Sequence, residues 1–401
     1  MERVTAPTYE FRRLVDSDAE ASRRLGREAF GHPAPPPGIP APLPRPGATR
    51  WGVFLGEQLV GRVEGYEFGS WFGGRVLPTV GVGAVTIAAE HRGRGLSRGL
   101  IAQVLDDHRS RGAAVSTLFP TAPGYYRGYG YEVIGSFDEV VLPSSSLAGL
   151  PRPSPDLRVR RATSADASAV RELYDAWAAG QNGPCDRRGP ALATGDDGWI
   201  EGHDAVTLVE DARGTLLGFA SWDRGPGSGA GSYVSVTDLV ATGAEAHQAL
   251  WSVLGSFSAV VEEVRLLTSG PDVARYSLPA STWRVSVEDT YMLRVEDVAQ
   301  AVTGISVPFE TSVPFSVAGD PLGVIDGTYL LTTEDGAAQC RPTTEGPRGP
   351  IFSPRGLALC VAGTQSCANL RRAGLLDGPA AWDDSIDHVF GGRQVHVRDY
   401  F

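Results

Sequence analysis

The chain echoes itself at a wide spacing, and that duplication limits what it can fold into more than any single motif does. Residues 12–25, RRLVDSDAEASRRL, and residues 160–173, RRATSADASAVREL, both run from a basic-flanked strand end into a helix. Each helix opens on a capping-box pattern, Ser17-x-x-Glu20 and Thr163-x-x-Asp166, which would satisfy orphan amides in the first turn. The echo continues in WGVFLGEQLVGRVEGY from Trp51 and AVTLVEDARGTLLGFASW from Ala205, each reading as a β-hairpin. A third pair, VGVGAVTIAAEHRGRGLSRGL and YVSVTDLVATGAEAHQALWSVL, takes a β-rich run into an amphipathic helix. Leu96, Leu100, Val104 and Leu105 share one face in the first copy, and Ala246, Leu250, Val253, Leu254 and Phe257 do so in the second. Two copies of one α+β unit are expected.

Punctuation divides the rest. The stretch 31–47 holds eight prolines in seventeen residues, which precludes helix or central strand. Residues 141–157, VLPSSSLAGLPRPSPDL, have linker composition and mark a boundary near residue 150. Beyond about residue 291 the repeat ends, and a third segment of strands and short helices runs to Phe401. A length of 401 residues, 42% hydrophobic, suits several cores. No apolar run is long enough to span a membrane and the amino terminus lacks a secretory signal, so a cytoplasmic protein without a membrane partner is expected. A net charge of −11 argues against nucleic acid as a partner. Cys185, Cys340, Cys360 and Cys367 lack zinc-ligand spacing and the histidines form no metal motif, so no metal is expected and the thiols read as reduced and buried.

The Arg/Gly cluster HRGRGLSRGL, residues 91–100, survives only in the first copy. Gly93, Gly95 and Gly99 follow a strand, and helix periodicity begins at Leu96. Bare amides at the positive end of a helix dipole, flanked by arginines, make an anion site. The cluster is neither a Walker loop nor a dinucleotide fingerprint, because both spacings are missing. Downstream, AVSTLFP reads as a short strand stopped by Pro120, and TAPGYYRGYGYEVI places four tyrosines within seven residues.

Arg92-x-x-Gly95-x-Ser97 resembles the pyrophosphate grip of the GNAT acyltransferases, with serine in place of the last small residue. The resemblance implies that Arg92, Gly93, Arg94, Gly95, Leu96 and Ser97 hold the diphosphate of acetyl-CoA. It also implies that the strand before the loop splays from the next one, so that Val85, Thr86 and Ile87 bind the pantetheine arm. Across essentially the whole length, the chain is similar to the Eis (enhanced intracellular survival) acetyltransferases, most strongly at EHRGRGLSRGL, GYYRGYGYE, AHQALWSVL and SPRGLALCVAGTQSCANLRRAGLL. That family implies an α+β architecture of two tandem GNAT-like domains followed by a sterol-carrier-protein-like α/β domain. The first, 1–150, is active; the second, 151–290, lacks the CoA motif; the third, 291–401, supplies the carboxy-terminal carboxylate.

The resemblance assigns Tyr126 as the general acid toward the departing thiolate. A general base is required because an alkylamine of pKa about 10 must lose a proton, at a cost of roughly 4 kcal/mol at neutral pH. In the Eis family the base is the chain's own carboxy terminus, here the α-carboxylate of Phe401. The implied activity is acetyl-CoA-dependent N-acetylation of a primary amine, on an aminoglycoside-, polyamine- or lysine-like acceptor, small molecule or peptide, in a homohexamer. Trp51, Trp71, Phe72, Glu64 and Glu67 are candidate acceptor contacts. The alternatives are transfer of a longer acyl chain to a secondary metabolite, and a non-catalytic lipid- or CoA-binding carrier.

Overall fold

The structure, a computed structural model, describes residues 8–31, 45–278, 283–346 and 349–401. Most of the proline-rich stretch, residues 32–44, lies outside the described residues. The first unit runs β1 (Tyr9–Arg13), α1 (Ala19–Phe30), β2 (Ala48–Leu55), β3 (Gln58–Phe72), β4 (Arg75–Ile87), α2 (Leu96–Arg109), β5 (Val115–Leu118), α3 (Pro123–Arg127) and β6 (Glu132–Pro143). The second runs β7 (Arg158–Arg161), α4 (Ala167–Ala179), the two-residue β8 (Gln181–Asn182), α5 (Asp196–Ile200), β9 (Ala205–Glu210), β10 (Leu216–Arg224), β11 (Gly229–Ala241), α6 (Ala244–Gly255), β12 (Val261–Thr268), α7 (Ala274–Ser277) and β13 (Arg284–Val295).

All of these strands except β8 form one twelve-stranded sheet, ordered β1-β2-β3-β4-β5-β13-β6-β12-β11-β10-β9-β7. β4–β5 and β11–β12 are parallel and every other neighbouring pair is antiparallel. Parallel neighbours need a crossover, and α2 and α6 provide the two. The units trade their last strands. β13 comes from the second unit yet pairs with β5, Met292 opposite Leu118, while β6 comes from the first and pairs with β12, Val264 opposite Leu142. The trade leaves no open sheet edge at the middle of the molecule. Tyr291, Met292, Leu293 and Val295 of β13 are all buried.

A third segment follows: α8 (Val298–Val302), β14 (Ser312–Val317), β15 (Gly327–Glu334), β16 (Ala337–Pro342), β17 (Ile351–Phe352), α9 (Pro354–Val361), α10 (Cys367–Arg372), β18 (Leu376–Asp377), α11 (Asp383–Phe390) and β19 (Gln394–Val395). Five of its strands make a sheet ordered β16-β15-β14-β17-β18. One apolar cluster runs without a break from Phe72, Leu77, Val115 and Leu293 of the large sheet into Phe315, Leu331, Leu357 and Leu370. All four cysteines are free and buried.

The crossover helices bury the expected faces. Leu96, Leu100, Val104 and Leu105 pack on Val53, Val63 and Val80. Ala246, Leu250 and Leu254 pack on Val234 and Val236, with Phe257 half-buried beside them and Val253 at intermediate exposure. The helix openings are duplicated down to their hydrogen bonds, although one differs from expectation. Thr163 donates its amide and hydroxyl to Asp166 at 2.8 and 3.0 Å, as read. In the first unit the equivalent bond runs from the Val15 amide to Asp18 at 2.9 Å rather than through Ser17 and Glu20. The cause is an arginine fork: Arg12 holds both oxygens of Asp18 at 2.7 and 2.9 Å, as Arg160 holds both of Asp166 at 2.8 and 2.7 Å. Residues 141–143 of the linker-like stretch finish β6, and Leu147 is buried in the second unit's core.

His108 closes α2 against β3 and β2, its Nε2 2.8 Å from the Thr49 hydroxyl. Burial first, then the charge of Arg111, depresses its pKa from 6.5 to about 4. The unfolded chain therefore binds a proton between pH 6.5 and 4 that the folded chain refuses, so stability is lost as pH falls through that window. Thermal unfolding at pH 7 and pH 5 should show a drop that is smaller in His108→Gln, by an order of 2 kcal/mol.

Candidate functional site

The site begins where two strands part. β4 pairs with β5 at Thr79, Val80 and Gly81, opposite Val115, Ser116 and Thr117, and there the ladder stops. On its other side β4 stays paired with β3, but with a bulge: Thr86 faces Arg62 and Gly83 faces Glu64, so Ala84 and Val85 together oppose one residue. Ala84 takes a positive φ of 53° to make that bend, a conformation that costs a residue with a Cβ about 1–2 kcal/mol. Val85, Thr86 and Ile87 thus carry backbone that β5 does not pair.

Beyond Ile87 a single 3-10 turn, Ala89–His91, leads into the Arg/Gly cluster. Gly93 and Gly95 have φ of 73° and 74° with open space where a Cβ would stand, so glycine is required for conformation and not for room. Gly95 is the N-cap of α2, and no side chain caps the first-turn amides. Arg92 donates Nε to the Ile87 carbonyl at 3.2 Å, and Arg98 donates to the Pro321 carbonyl. These guanidinium groups bond neutral oxygens, so their charge adds to that of the helix end. Leu96 lends only its backbone, because its side chain is in the core.

α3 forms the opposite wall. The Tyr125 hydroxyl is committed to Ser97 and, at 2.6 Å, to Tyr129. Ser97 thus ties the start of α2 to the tyrosine helix. Tyr126 is 9% exposed and stacks edge-on against Tyr125 and Tyr131. Burial, reinforced by the neighbouring Tyr125, pushes its phenol up to about 12. It therefore stays protonated at neutral pH. Val85, Thr86, Ile87, Arg92, Ser97, Tyr125 and Tyr126 line one cleft of about 360 Å³. That volume is in the range of small-molecule sites.

Phe401 lies further back along the same strand. Its ring packs over Gly81, where a Cβ would stand only 2.5 Å from Cε2. Around it are Phe68 at 5.1 Å, Phe119 at 5.3 Å, Tyr66 at 5.9 Å and Tyr291 at 6.4 Å between centroids, and Tyr400 stacks on Phe119 at 4.3 Å. Tyr66 donates to Glu64 at 2.8 Å, which brings that carboxylate near the tail. The other acceptor candidates scatter. Phe72 is core, Trp71 packs against the second unit's cluster, Glu67 is paired with Arg111, and Trp51 lies under Arg13. The aromatic nest went unread because its members come from four separate strands and loops.

Two family descriptions match the chain, both given as acetyltransferase (GNAT) domain, over residues 10–134 and 185–295. An uncharacterized N-acetyltransferase of Streptomyces avermitilis is 27% identical over 336 residues, which is 80% of this chain and 81% of that one. N-acetyltransferase Eis of Mycobacterium tuberculosis is 27% identical over 296 residues, 67% of each. Among solved structures, a GCN5-related N-acetyltransferase from Kribbella flavida shares the fold with a TM-score of 0.78 at 24% identity, over 98% of both chains. Eis1 from Mycobacterium abscessus does so with a TM-score of 0.73 at 21% identity, over 98% of this chain and 100% of that one. No helix among the described residues is long and apolar enough to cross a membrane. Two consecutive GNAT domains and Eis among the relatives agree with the parted strands, the bare helix end and the tyrosine wall: the chain is an Eis-like acyltransferase of the GNAT type.

Proposed function

We propose that the chain transfers the acetyl group of acetyl-CoA to a primary amine by direct attack on the thioester. The observation that carries this reading is the convergence, in one cleft, of unpaired β4 backbone, an uncapped and arginine-flanked helix end, and a protonated buried phenol. Acetyl-CoA supplies the activated acyl group. Amides from Gly93 to Ser97, with Arg92 and Arg94, hold the diphosphate, and Val85, Thr86 and Ile87 hold the amide groups of the pantetheine arm. The Phe401 carboxylate takes a proton from the acceptor's ammonium, and the free amine then attacks the carbonyl carbon. As the new C–N bond forms and the C–S bond breaks, Tyr126 gives its proton to the sulfur, and the second proton shed by the acylated nitrogen restores the phenol.

The finer assignments belong to the same reading. The domains are 1–150, 151–290 and 291–401, the first catalytic and the last sterol-carrier-like, with β13 carrying the second unit past that boundary to Val295. The second is non-catalytic: its α6 opens with Glu245 and no arginine, which disfavours a diphosphate. Aminoglycosides, polyamines and lysine side chains are the acceptor classes, in a cytoplasmic hexamer. A panel of these amines against short and long acyl-CoAs, read by thiol release, separates them from the longer-chain alternative.

Tyr126→Phe should lower kcat about a hundredfold while leaving the KM for acetyl-CoA within about twofold. A few residues appended after Phe401 should do the same, and unchanged turnover in both variants removes the two roles. Gly81→Val fills the seat of the Phe401 ring, so kcat should fall at least about tenfold at constant KM for acetyl-CoA. Steady-state kinetics on the purified variants is the check.

A further inference from the structure

The second unit also has a place where its central parallel strands part. β11 pairs with β12 as far as Val236 opposite Leu266, the counterpart of Gly81 opposite Thr117, and Asp238 and Leu239 lie just beyond. In the first unit the corresponding backbone borders an open cleft. In the second it is filled by residues 394–399 of the same chain.

The filling is built from buried charge. β19 pairs in parallel with β8, and the His396 amide donates to the Asn182 carbonyl at 2.8 Å. The His396 ring meets Asp272 at 3.1 Å. Arg398 donates to the Leu239 carbonyl at 3.2 Å, approaches Asp238 at 3.7 Å and lies over Trp177 at 4.6 Å. Arg187 joins the two sides. Its Nη atoms fork onto Asp238 at 2.7 and 3.1 Å while its Nε donates to Asp399 at 2.9 Å. It is 6% exposed, packs over Tyr174 and Trp199, and is held at a φ of 53°. A buried arginine kept in a left-handed conformation is backbone strain that its surroundings must impose.

We infer that the strand gap of the second unit is a receptor for the chain's own tail, and that Arg187 is the positioning residue that fixes Tyr400 and Phe401 at β4 through Asp399. The receptor is independent of the chemistry, while its effect on turnover rests on the carboxylate role proposed above. Asp399 is two residues from Phe401, so a fixed Asp399 leaves little slack for the ring to leave Gly81.

The test uses the 401-residue chain with Asp399→Asn, which spares the Arg187–Asp238 pair, and Arg187→Lys, which keeps the charge but loses the fork. Carboxypeptidase reads the tail by the rate of phenylalanine release, and kinetics reads kcat and KM. Release should quicken at least about tenfold in Asp399→Asn, the loss of one charge-assisted bond, and less in Arg187→Lys. In both variants kcat should fall with the KM for acetyl-CoA unchanged. Release at the wild-type rate in both folded variants overturns the receptor. Faster release with undiminished turnover upholds it and removes the carboxylate as base.

Discussion

Past Gly81, β4 keeps its bonds to β3 but leaves β5, and the site is arranged around that departure. The gap frees the backbone of Val85 to Ile87, and the bulge at Ala84 turns it toward the cleft. Such a twist is unfavourable by itself. It persists because Val80 and Val82 on one side of it, and Thr86 with its β3 partner on the other, are fixed by packing and pairing. The same gap gives the Phe401 ring its seat, since Gly81 leaves the face of the strand bare where pairing ends.

Buried arginines connect this gap to the rest of the molecule. Arg294, fully buried on β13, bonds Asp320 through both Nη atoms at 2.7 and 2.9 Å, Glu296 at 2.9 Å and the Tyr129 carbonyl at 2.7 Å. One side chain thereby joins the exchanged strand, the tyrosine turn and the third segment. Glu132 receives Arg127 of the tyrosine helix and Arg355 of α9. Burial would raise its carboxyl, but Arg127, the Val133 amide and Arg355 together hold it below its ordinary range. Losing one partner of such a pair strands a buried charge, so the third segment and the Tyr126 helix are energetically coupled.

What the sequence discloses is local or periodic. The duplication was readable because a basic-flanked strand end runs into a helix at the same place in each copy, and because hairpin and helix periods repeat around it; the Arg12–Asp18 and Arg160–Asp166 forks beneath it were not. The start of α2 at Leu96 and the end of β5 before Pro120 followed from glycine and proline chemistry. Strand exchange was not readable: the buried end of β13, from Tyr291 to Val295, suits any central strand, and nothing in its residues names β5 rather than β12 as neighbour. Phe72 and Trp71 illustrate the same difficulty, since adjacent aromatics on one strand point to different cores. Arg187 gave no signal because its partners, Asp238 and Asp399, are distant in the chain.

The exchange of β6 and β13 also bears on how the protein is made. A ribosome releases the first unit's loop, helix and tyrosines long before residues 284–295 are synthesised, yet β5 has no antiparallel neighbour until they arrive. The nascent chain must therefore carry a bare strand edge from Leu118 until Arg284 is made, about two-fifths of its translation, and the catalytic half becomes complete only after the second unit has supplied that strand.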